Sequence, residues 1–274
     1  MKRFLCLGLA LLLLCAALSG CVQRDATLLY VTVLDVGQGD AILISCGEHH
    51  VLIDTGSAVS RGLLLGELAR LGVEDLDAIL ITHPHEDHYG NVRMLLETRT
   101  VGALFLPTAQ GEELGYSLLV ESAARCGVPI DILADGDTFS LHGAVCEVFC
   151  PIADDPDPNN ACLVLRVRYG TCVFLFMGDA EQRAEQALLA RGEDWKCDFL
   201  KVGHHGSDTA STSAFLQACV PKMAAISCAE DNDYGFPHGE VLEGLREVGA
   251  TVYRTDGRGS LSFSCDGESV IFEE

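Results

Sequence analysis

The stretch THPHEDH, residues 82–88, places three imidazoles and two carboxylates within seven residues. Its proline disfavours a helical conformation at the residue before it, so the stretch is expected to form an extended turn. Because residues two apart point the same way in such a turn, His83 and His85 can approach one ion together. Asp87 and His88 can serve a second ion nearby. Imidazole and carboxylate suit Zn²⁺, with Mn²⁺ or Fe also compatible, so a solvated polar loop is the weaker interpretation.

Short apolar strands and helices alternate on both sides of this stretch. The predicted strands are 29–35, 41–45, 51–53, 78–82, 171–177, 199–202 and 223–227, and the predicted helices are 63–71, 180–190 and 241–248. Strands that alternate with helices, together with hairpin-like strands near each end, favour an α/β fold with a mixed sheet.

One regularity concerns the ends of the predicted strands. Asp54, His83, Asp179 and the pair His204-His205 each lie just past the C-terminal end of an apolar strand. In layered α/β proteins these ends converge on one rim, where functional groups collect. The pattern therefore predicts that these side chains share one site.

The HxHxDH pattern of residues 83–88 matches the signature of the metallo-β-lactamase superfamily. The chain further resembles the soluble hydrolase domain of ComEC-type DNA-uptake proteins, through LDVGQGDA (34–41), LIDTG (52–56), KVGHHGS (201–207), YGFPH (234–238) and RTDG (254–257). Surface phosphorylcholine esterases share related motifs. The resemblance runs from about Leu29 to Phe263. It implies an α/β fold, a four-layer αβ/βα sandwich with two mixed sheets and a dinuclear site on one edge.

The resemblance also implies roles for individual residues. It places His83 and His85 on one metal and Asp87 and His88 on a second, with Asp179 bridging the two. Asp179 lies between a predicted strand and a predicted helix, so helix capping is the alternative interpretation of its carboxylate.

The adjacent histidines His204 and His205 divide two further roles. One matches the last metal ligand and the other faces the substrate; His205 is the preferred ligand and His204 the preferred substrate contact, with the reverse left open. Asp54 is expected to orient ligand histidines from behind, as carboxylates at metal sites commonly do. Weaker candidates for substrate contacts are Gln38, Asp40, Asn159 and His238.

One departure from the family pattern concerns the first metal. The superfamily has a further histidine ligand before the strand that precedes the bridging aspartate. This chain instead reads Asn159-Asn160-Ala161-Cys162, where the ComEC-like branch has Asn-x-x-Ser. We therefore expect the first metal to bind weakly or only together with substrate. The nearest upstream histidine, His142, is predicted to lie in a hairpin turn, and His49-His50 is predicted to be an exposed hairpin tip.

The expected chemistry is metal-assisted hydrolysis. A water shared by two divalent cations, most simply two Zn²⁺, loses a proton near neutral pH, and the cations take up charge on the attacked oxygen. Asp87 is expected to orient this water and His204 to support the leaving oxygen or the oxyanion. The resemblance favours a phosphodiester, as in DNA, teichoic acid or a choline ester, over a β-lactam. The alternatives are a β-lactam hydrolase and a non-catalytic metal- or ligand-binding lipoprotein with a degenerate site.

The first residues predict export. A basic start and an apolar run from Phe4 to Leu18, shorter than a membrane span, indicate a signal sequence. Leu18-Ser19-Gly20-Cys21 resembles a bacterial lipobox, although an ordinary cleaved signal or an uncleaved anchor would read similarly. We interpret residues 1–20 as a lipoprotein signal peptide, Cys21 as the lipidated residue, 21–28 as a short tether and 29–274 as the hydrolase domain. Such a protein is anchored by its lipid to the outer face of the cell membrane, and no second apolar stretch predicts a transmembrane channel.

Composition limits the partners. The formal net charge is −22, and processing would remove Lys2 and Arg3 from the 18 basic residues, leaving 16 against 40 acidic ones. Such acidity argues against broad attraction to nucleic acid or anionic headgroups, although bound cations supply positive potential locally. The ten cysteines after Cys21 lie mostly in apolar runs, which favours buried thiols over disulfides.

Overall fold

The computed structural model describes residues 24–108 and 114–274, and these residues form two β-sheets. The predicted signal peptide and Cys21 lie outside the described residues. The strands of the first sheet are β1 Leu29–Val33, β2 Ile42–Cys46, β3 His49–Ile53, β4 Asp75–Leu80, β5 Thr100–Pro107, β6 Ile130–Leu133, β14 Leu261–Cys265 and β15 Val270–Glu273. Those of the second are β7 Thr138–Leu141, β8 Ala144–Phe149, β9 Val164–Tyr169, β10 Cys172–Phe176, β11 Phe199–Lys201, β12 Met223–Ile226 and β13 Thr251–Arg254.

Each sheet is mixed, as predicted. The first has the order β15-β14-β1-β2-β3-β4-β5-β6, with β3 to β6 parallel and the pairs on the other side antiparallel. The second has the order β13-β12-β11-β10-β9-β8-β7, with β10 to β13 parallel. The antiparallel strands continue from β10 to β7. The parallel half of each sheet thus points the C-terminal ends of its strands at one edge.

Helices cover the outer face of each sheet. They are α1 Arg61–Arg70, α2 Glu86–Tyr89, α3 Val92–Thr98, α4 Leu114–Cys126, α5 Gln182–Leu189, α6 Ser213–Cys219, α7 Gly239–Glu247 and α8 Thr255–Arg258. None of the helices in the described ranges is long and apolar enough to cross a membrane.

Three apolar clusters separate four layers. The central cluster joins inward side chains of both sheets, such as Val31 and Phe174. A second packs the first sheet against α1, α3 and α4, and a third packs the second sheet against α5, α6 and α7. Burial of alternate faces on strands and of one stripe on each helix accounts for these layers. The predicted αβ/βα sandwich is confirmed.

The cysteines belong to this packing. The ten in the described residues are unpaired, and all except Cys126 are buried, as the apolar runs predicted. Burial raises the pKa of several thiols, for example that of Cys146 to about 12, so these groups behave as small apolar side chains.

Candidate metal centre

The predicted strand-end residues meet at one edge of the sandwich. β3 ends before Asp54, β4 before His83, β10 before Asp179 and β11 before His204 and His205. The backbone N–H of Asp54 donates to the carbonyl of Leu80 at 2.8 Å, which joins two of these strand ends directly. The convergence that the sequence pattern predicts is therefore present in the fold.

The stretch 82–88 differs in part from its predicted conformation. It is extended as far as His85, whose φ and ψ are −94° and 145°, but α2 then begins at Glu86. Asp87 and His88 consequently lie in a single helical turn instead of an extended one. Gly39 packs against this turn, since a Cβ added at Gly39 would clash with the carbonyl oxygen of Asp87.

Four overlapping groups of donors in the described residues could hold ions, and two of these groups consist only of predicted ligands. His83, His88 and Asp179 form one, and Asp87, His88 and His205 form the other, with donor atoms in each group within 4.8 Å of one another. Asp179 Oδ2 lies 3.3 Å from His88 Nε2 and 3.7 Å from His83 Nε2, while its Oδ1 lies 3.7 Å from His205 Nε2. Asp179 is therefore positioned between the two groups.

Unsatisfied buried atoms show that the site fits a metal. His88 Nε2, Asp179 Oδ1 and His205 Nε2 are buried and have no hydrogen-bond partner among the residues that the structure describes. Burying such atoms without partners is unfavourable, and in native proteins each case demands an explanation. Two imidazole nitrogens and a carboxylate oxygen facing one space are the donors that a divalent transition metal ion prefers.

His85 stands apart from both groups. Its Nδ1 lies 3.0 Å from His83 Nε2, and its side chain is partly exposed, whereas His83 is fully buried. The first predicted metal position thus has one fully buried imidazole, that of His83, and one partly exposed imidazole, that of His85. The second position has the buried His88 and His205 together with Asp87.

Asp54 fixes the orientation of His88. Its carboxylate is fully buried and accepts hydrogen bonds from Thr82 N, Thr82 Oγ1 and His88 Nδ1, each at 2.8 Å. Donation from Nδ1 leaves the lone pair of His88 Nε2 free to face an ion. His205 is held in the same way, with Nδ1 3.1 Å from the carbonyl of Ser227. Asp54 therefore lies behind His88, one of the candidate ligands.

Asp40 is not a substrate contact, contrary to the prediction. Asp40 is fully buried and forms a 2.8 Å ion pair with Lys201, which is equally buried. Its carboxylate also accepts a hydrogen bond from Ser227 Oγ. Its Oδ1 lies 3.4 Å from His205 Nδ1. Burial raises the pKa of Asp40, but Lys201 and His205 outweigh that effect and hold it well below the usual value. Asp40 therefore supports His205 from inside the protein.

His204 is the more exposed of the adjacent pair. Both residues have left-handed backbones, with φ of 47° for His204 and 53° for His205, and their side chains diverge. His204 Nδ1 lies 3.2 Å from Glu181 Oε1 and 3.2 Å from Thr209 Oγ1, and its Nε2 lies 3.9 Å from Asp179 Oδ2. This geometry favours His205 as the ligand and His204 as the group that faces substrate.

Nearby charges set the pKa values of these histidines. Burial lowers the pKa of His88, but the carboxylates of Asp179 and Asp54 outweigh burial and raise it well above its usual value. The pKa of His205 rises to about 10, because Asp179 and Asp40 likewise outweigh burial. His205 and His88 in turn overcome burial and lower the pKa of Asp87 to about 2. The carboxylates of Asp87 and Asp179, whose pKa values both lie below the usual value, are thus ionised at neutral pH and available to a cation.

The other predicted substrate contacts lie at different depths. Gln38 lies in an open groove next to Asp87 and accepts a 3.4 Å hydrogen bond from Ala229 N. Asn159 is mostly buried in the loop before β9, and its Oδ1 has no partner. His238 is held by Asp208 N, which donates to its Nδ1 at 3.0 Å.

Two side chains of this centre were not predicted. Lys201 begins the quoted KVGHHGS motif, yet a lysine at a strand end gives no sign that it will be buried against Asp40. Glu181 follows Asp179 by two residues and reaches both His204 and Thr209, the latter by a 2.8 Å hydrogen bond. Its proximity to a predicted ligand was the only available signal.

Sequence comparisons agree with this geometry. Residues 34–229 match the family model of the metallo-β-lactamase superfamily. The chain is 33% identical to "ComE operon protein 3" of Bacillus subtilis and 30% identical to "Competence protein ComA" of Neisseria gonorrhoeae. Each alignment covers 85% of this chain and 32% of the relative, so the chain spans about a third of the length of these relatives.

Solved structures show the same fold. The metallo-β-lactamase fold protein YhfI from Bacillus subtilis aligns with a TM-score of 0.57 at 13% identity, covering 86% of this chain and all of that one. CmlA, a diiron β-hydroxylase from Streptomyces venezuelae, aligns with a TM-score of 0.56 at 16% identity, covering 82% of this chain and 52% of CmlA. With the family match over most of its length, and a centre of histidines and aspartates that fits divalent metal, the chain belongs to the metallo-β-lactamase superfamily of metal-dependent hydrolases.

Proposed function

We propose that this chain is a nuclease-like phosphodiesterase that works with two divalent cations, most simply Zn²⁺, with Mn²⁺ or Fe as alternatives. The observation that supports it is the convergence of three buried, unpartnered donor atoms, on His88, Asp179 and His205, beside the partly exposed carboxylate of Asp87. Such a centre can hold cations and still admit a substrate from one side.

The residues divide between two positions. His83 and His85 would hold the first ion, and Asp87, His88 and His205 would hold the second, with Asp179 shared by both. Bound cations would lower the pKa of the attacking water and neutralise charge that develops on the phosphoryl oxygens. Because the second position has more buried donors, we expect it to hold its ion more tightly than the first.

The protein groups around the ions orient the reaction. Asp87 lies at the mouth with about a third of its side chain exposed, where its carboxylate can orient the attacking water. Asp54 keeps His88 oriented through its 2.8 Å hydrogen bond. Glu181 and Thr209 hold His204 Nδ1, which leaves His204 Nε2 facing the opening to support the leaving oxygen.

A phosphodiester is the favoured substrate class. The chain is similar over most of its length to proteins named for competence, which is the uptake of DNA. The net charge of −22 argues against a long polyanion held by the surface, so we expect recognition to depend on the metal centre itself. Teichoic-acid and choline phosphodiesters are the remaining members of the class.

Hydrolysis of bis(p-nitrophenyl) phosphate tests the proposal. Wild-type protein loaded with Zn²⁺ or Mn²⁺ should release p-nitrophenol, and Asp87→Asn should abolish this turnover. Asp131→Asn is a matched control, because Asp131 is an exposed carboxylate on β6 that belongs to none of the groups of candidate metal donors among the described residues. Absence of turnover with every metal tested would refute the phosphodiesterase.

Two rival functions have their own readouts. A binding lipoprotein with a degenerate site should hold no ions after dialysis or should turn over none of the esters, whereas the proposed enzyme should retain about two ions per chain. A β-lactam hydrolase should turn over nitrocefin. Metal analysis by mass spectrometry and a nitrocefin assay on the same sample separate these outcomes.

We also propose that the chain is exported and anchored to the outer face of the cell membrane by lipid on Cys21. The support is the signal-like run and the lipobox-like residues before Cys21, all outside the described residues. Expression of the full chain should yield a membrane-associated form that incorporates labelled palmitate. Cys21→Ser should abolish the label, and an unlabelled wild-type chain would exclude lipidation.

A further inference from the structure

A groove beside the metal centre has no part in the mechanism proposed above. Its volume is about 550 Å³, and it is lined by the 36–38 turn, the 57–63 segment, Glu86, Asp87 and Tyr234. Asp87 belongs both to the groove and to the second group of metal donors. A substrate whose scissile ester lies at the ions would therefore extend its neighbouring group into this groove.

Large exposed apolar side chains concentrate in this groove. Val59 is 94% exposed, Tyr234 64% and Leu63 52%. Among the large hydrophobic side chains that the structure describes, these are three of the four most exposed, and the fourth is Ile271 at 57%. Clusters of exposed apolar groups next to a polar site mark surfaces that bind a ligand. The groove thus offers apolar contact to whatever enters it.

Aromatic rings connect the groove to the metal donors. The ring of Tyr234 stacks on that of Phe236, with centroids 5.2 Å apart and an interplanar angle of 14°. Phe236 in turn lies 5.7 Å from the ring of His204 and 6.4 Å from that of His205. The exposed ring of Tyr234 therefore packs against Phe236, and Phe236 lies between Tyr234 and the two histidines.

The charges of the groove exclude a phosphate as its occupant. Glu86 and Asp87 contribute carboxylates, and no lysine or arginine within residues 24–108 and 114–274 lines the groove. A phosphoryl group would be repelled here and belongs at the cations instead. A neutral planar ring with apolar faces and a polar edge fits the combination of an exposed aromatic ring, two aliphatic side chains and polar groups such as Gln38.

We propose that this groove binds the nucleobase next to the scissile phosphodiester, with Tyr234 stacking on the ring and Val59 and Leu63 covering its apolar surface. The inference rests on the proposed phosphodiesterase and deepens it, because it names a nucleotide ester as the substrate class. Tyr234, Val59 and Leu63 then determine specificity without taking part in bond cleavage.

Three esters with the same leaving group test the groove. They are the p-nitrophenyl esters of thymidine 5′-phosphate, of methyl phosphate and of phosphorylcholine. Wild-type protein should prefer the thymidine ester over the methyl ester by kcat/KM. Tyr234→Ala should reduce that ratio by about tenfold, the usual effect of removing one stacking ring, whereas Tyr234→Phe should preserve it. Leu63→Ala should cause a smaller reduction, and Ile271→Ala, at an equally exposed site on β15, should cause none.

Two results would overturn the inference. One is a thymidine-to-methyl ratio that is the same in Tyr234→Ala and wild type. The other is a loss confined to the phosphorylcholine ester, which would assign the groove to a quaternary ammonium group held by Tyr234 and Glu86.

A binding measurement separates this inference from the proposed function. A thymidine dinucleotide with a neutral methylphosphonate linkage retains the bases and cannot be cleaved as a phosphodiester. Its affinity for the metal-loaded protein, followed by NMR, should fall about tenfold in Tyr234→Ala and stay unchanged in Ile271→Ala. If no ester is turned over but this binding is seen, the phosphodiesterase fails and the groove stands. If esters are turned over but this binding is absent or insensitive to Tyr234, the groove fails alone.

Discussion

Two histidine clusters lie at opposite ends of the same strand. β3 begins with His49 and His50 and ends at Ile53, directly before Asp54 of the metal centre. At the starting end, His49 stacks on His142 with ring centroids 4.9 Å apart. In sequence both ends show adjacent or nearly adjacent histidines. In the structure, the histidines at the two ends differ in burial and in whether their ring nitrogens have hydrogen-bond partners.

The cluster at the start of β3, which we call the far cluster, consists of His49, His50, His142 and Asp77. Its polar atoms find partners on the protein: His49 Nδ1 lies 3.1 Å from Asp77 Oδ1, and His50 Nδ1 lies 2.9 Å from Ser45 Oγ. His49 and Asp77 are about half exposed. In the described ranges, none of the groups able to hold a metal includes a member of this cluster.

The difference shows what distinguishes a metal site from a set of neighbouring histidines. At the candidate metal centre, Nδ1 of the buried His88 and Nδ1 of the buried His205 have partners on the protein, a carboxylate and a backbone carbonyl respectively. The Nε2 atoms of both histidines have no hydrogen-bond partner among the described residues. At the far cluster, water and nearby polar groups can satisfy the histidines. Burial combined with unpartnered donors, more than proximity, indicates a metal.

The largest test of this comparison is removal of Asp179. Asp179→Ala takes away the carboxylate that both groups of donors share, so we expect metal content to fall and phosphodiester turnover to drop on the order of 10³-fold or more, since bound ions supply several kcal/mol of transition-state stabilisation. Metal analysis and bis(p-nitrophenyl) phosphate turnover measure the two effects. Retention of both ions and of full turnover would show that the bridging carboxylate is dispensable.

A second test addresses the burial of charge behind the metal centre. Lys201→Met would leave Asp40 buried without its cation, and losing one partner of such a pair costs about 3–5 kcal/mol. Urea denaturation should show this loss. Lys222→Met is the matched control: its ion pair with Asp198 has the same 2.8 Å length but lies on the surface, with the Lys222 side chain 75% exposed. Equal effects of the two variants would contradict the proposed importance of burial.

A third test is metal removal at different pH values. A bound ion at a hundred times its Kd stabilises the folded chain by about 3 kcal/mol, and chelation should remove that stabilisation. In metal-free protein, the pKa of His205 is about 10 when folded and about 6.5 when unfolded. Protonation of His205 therefore stabilises the folded state fully below about pH 6.5, and this stabilisation is lost as the pH rises towards 10.

Metal should suppress this pH dependence, because an ion at His205 Nε2 takes the place of the proton. We expect the urea midpoint of metal-free protein to fall between about pH 6.5 and 9, and that of metal-loaded protein to fall much less over the same range. Parallel curves for the two forms would mean that the metal does not bind His205.

The sequence predicted which residues meet at the candidate metal centre better than it predicted their surroundings. The strand-end positions of Asp54, His83 and Asp179 followed from local hydrophobic runs, and the ligand assignments followed from a specific motif. The fold class was likewise readable from alternating strands and helices. Such signals are local, so a single segment carries them.

What the sequence did not reveal depends on contacts between distant segments. Asp40 was a candidate substrate contact, but it is buried in the structure, where Lys201, 161 residues later, pairs with it. The predicted position of His49 and His50 at a hairpin tip was wrong by two residues. Both residues begin β3, where they pair with Cys46 and Ser45, and the tip is formed by residues 47–48. Burial and register are properties of the assembled sheets.

The smallest effect is expected at the far cluster. Asp77→Asn removes a carboxylate whose pKa is lowered, against the effect of burial, by hydrogen bonds from His50 N and His49. Because the folded state lowers this pKa, the carboxylate stabilises the fold above about pH 4 and loses that effect as the pH falls. Since Asp77 is about half exposed, the loss at neutral pH should stay below about 1 kcal/mol. Metal content and turnover should match wild type. A bound ion lost from Asp77→Asn would show that partnered, half-exposed histidines can also hold metal, and the distinction between the two ends of β3 would then fail.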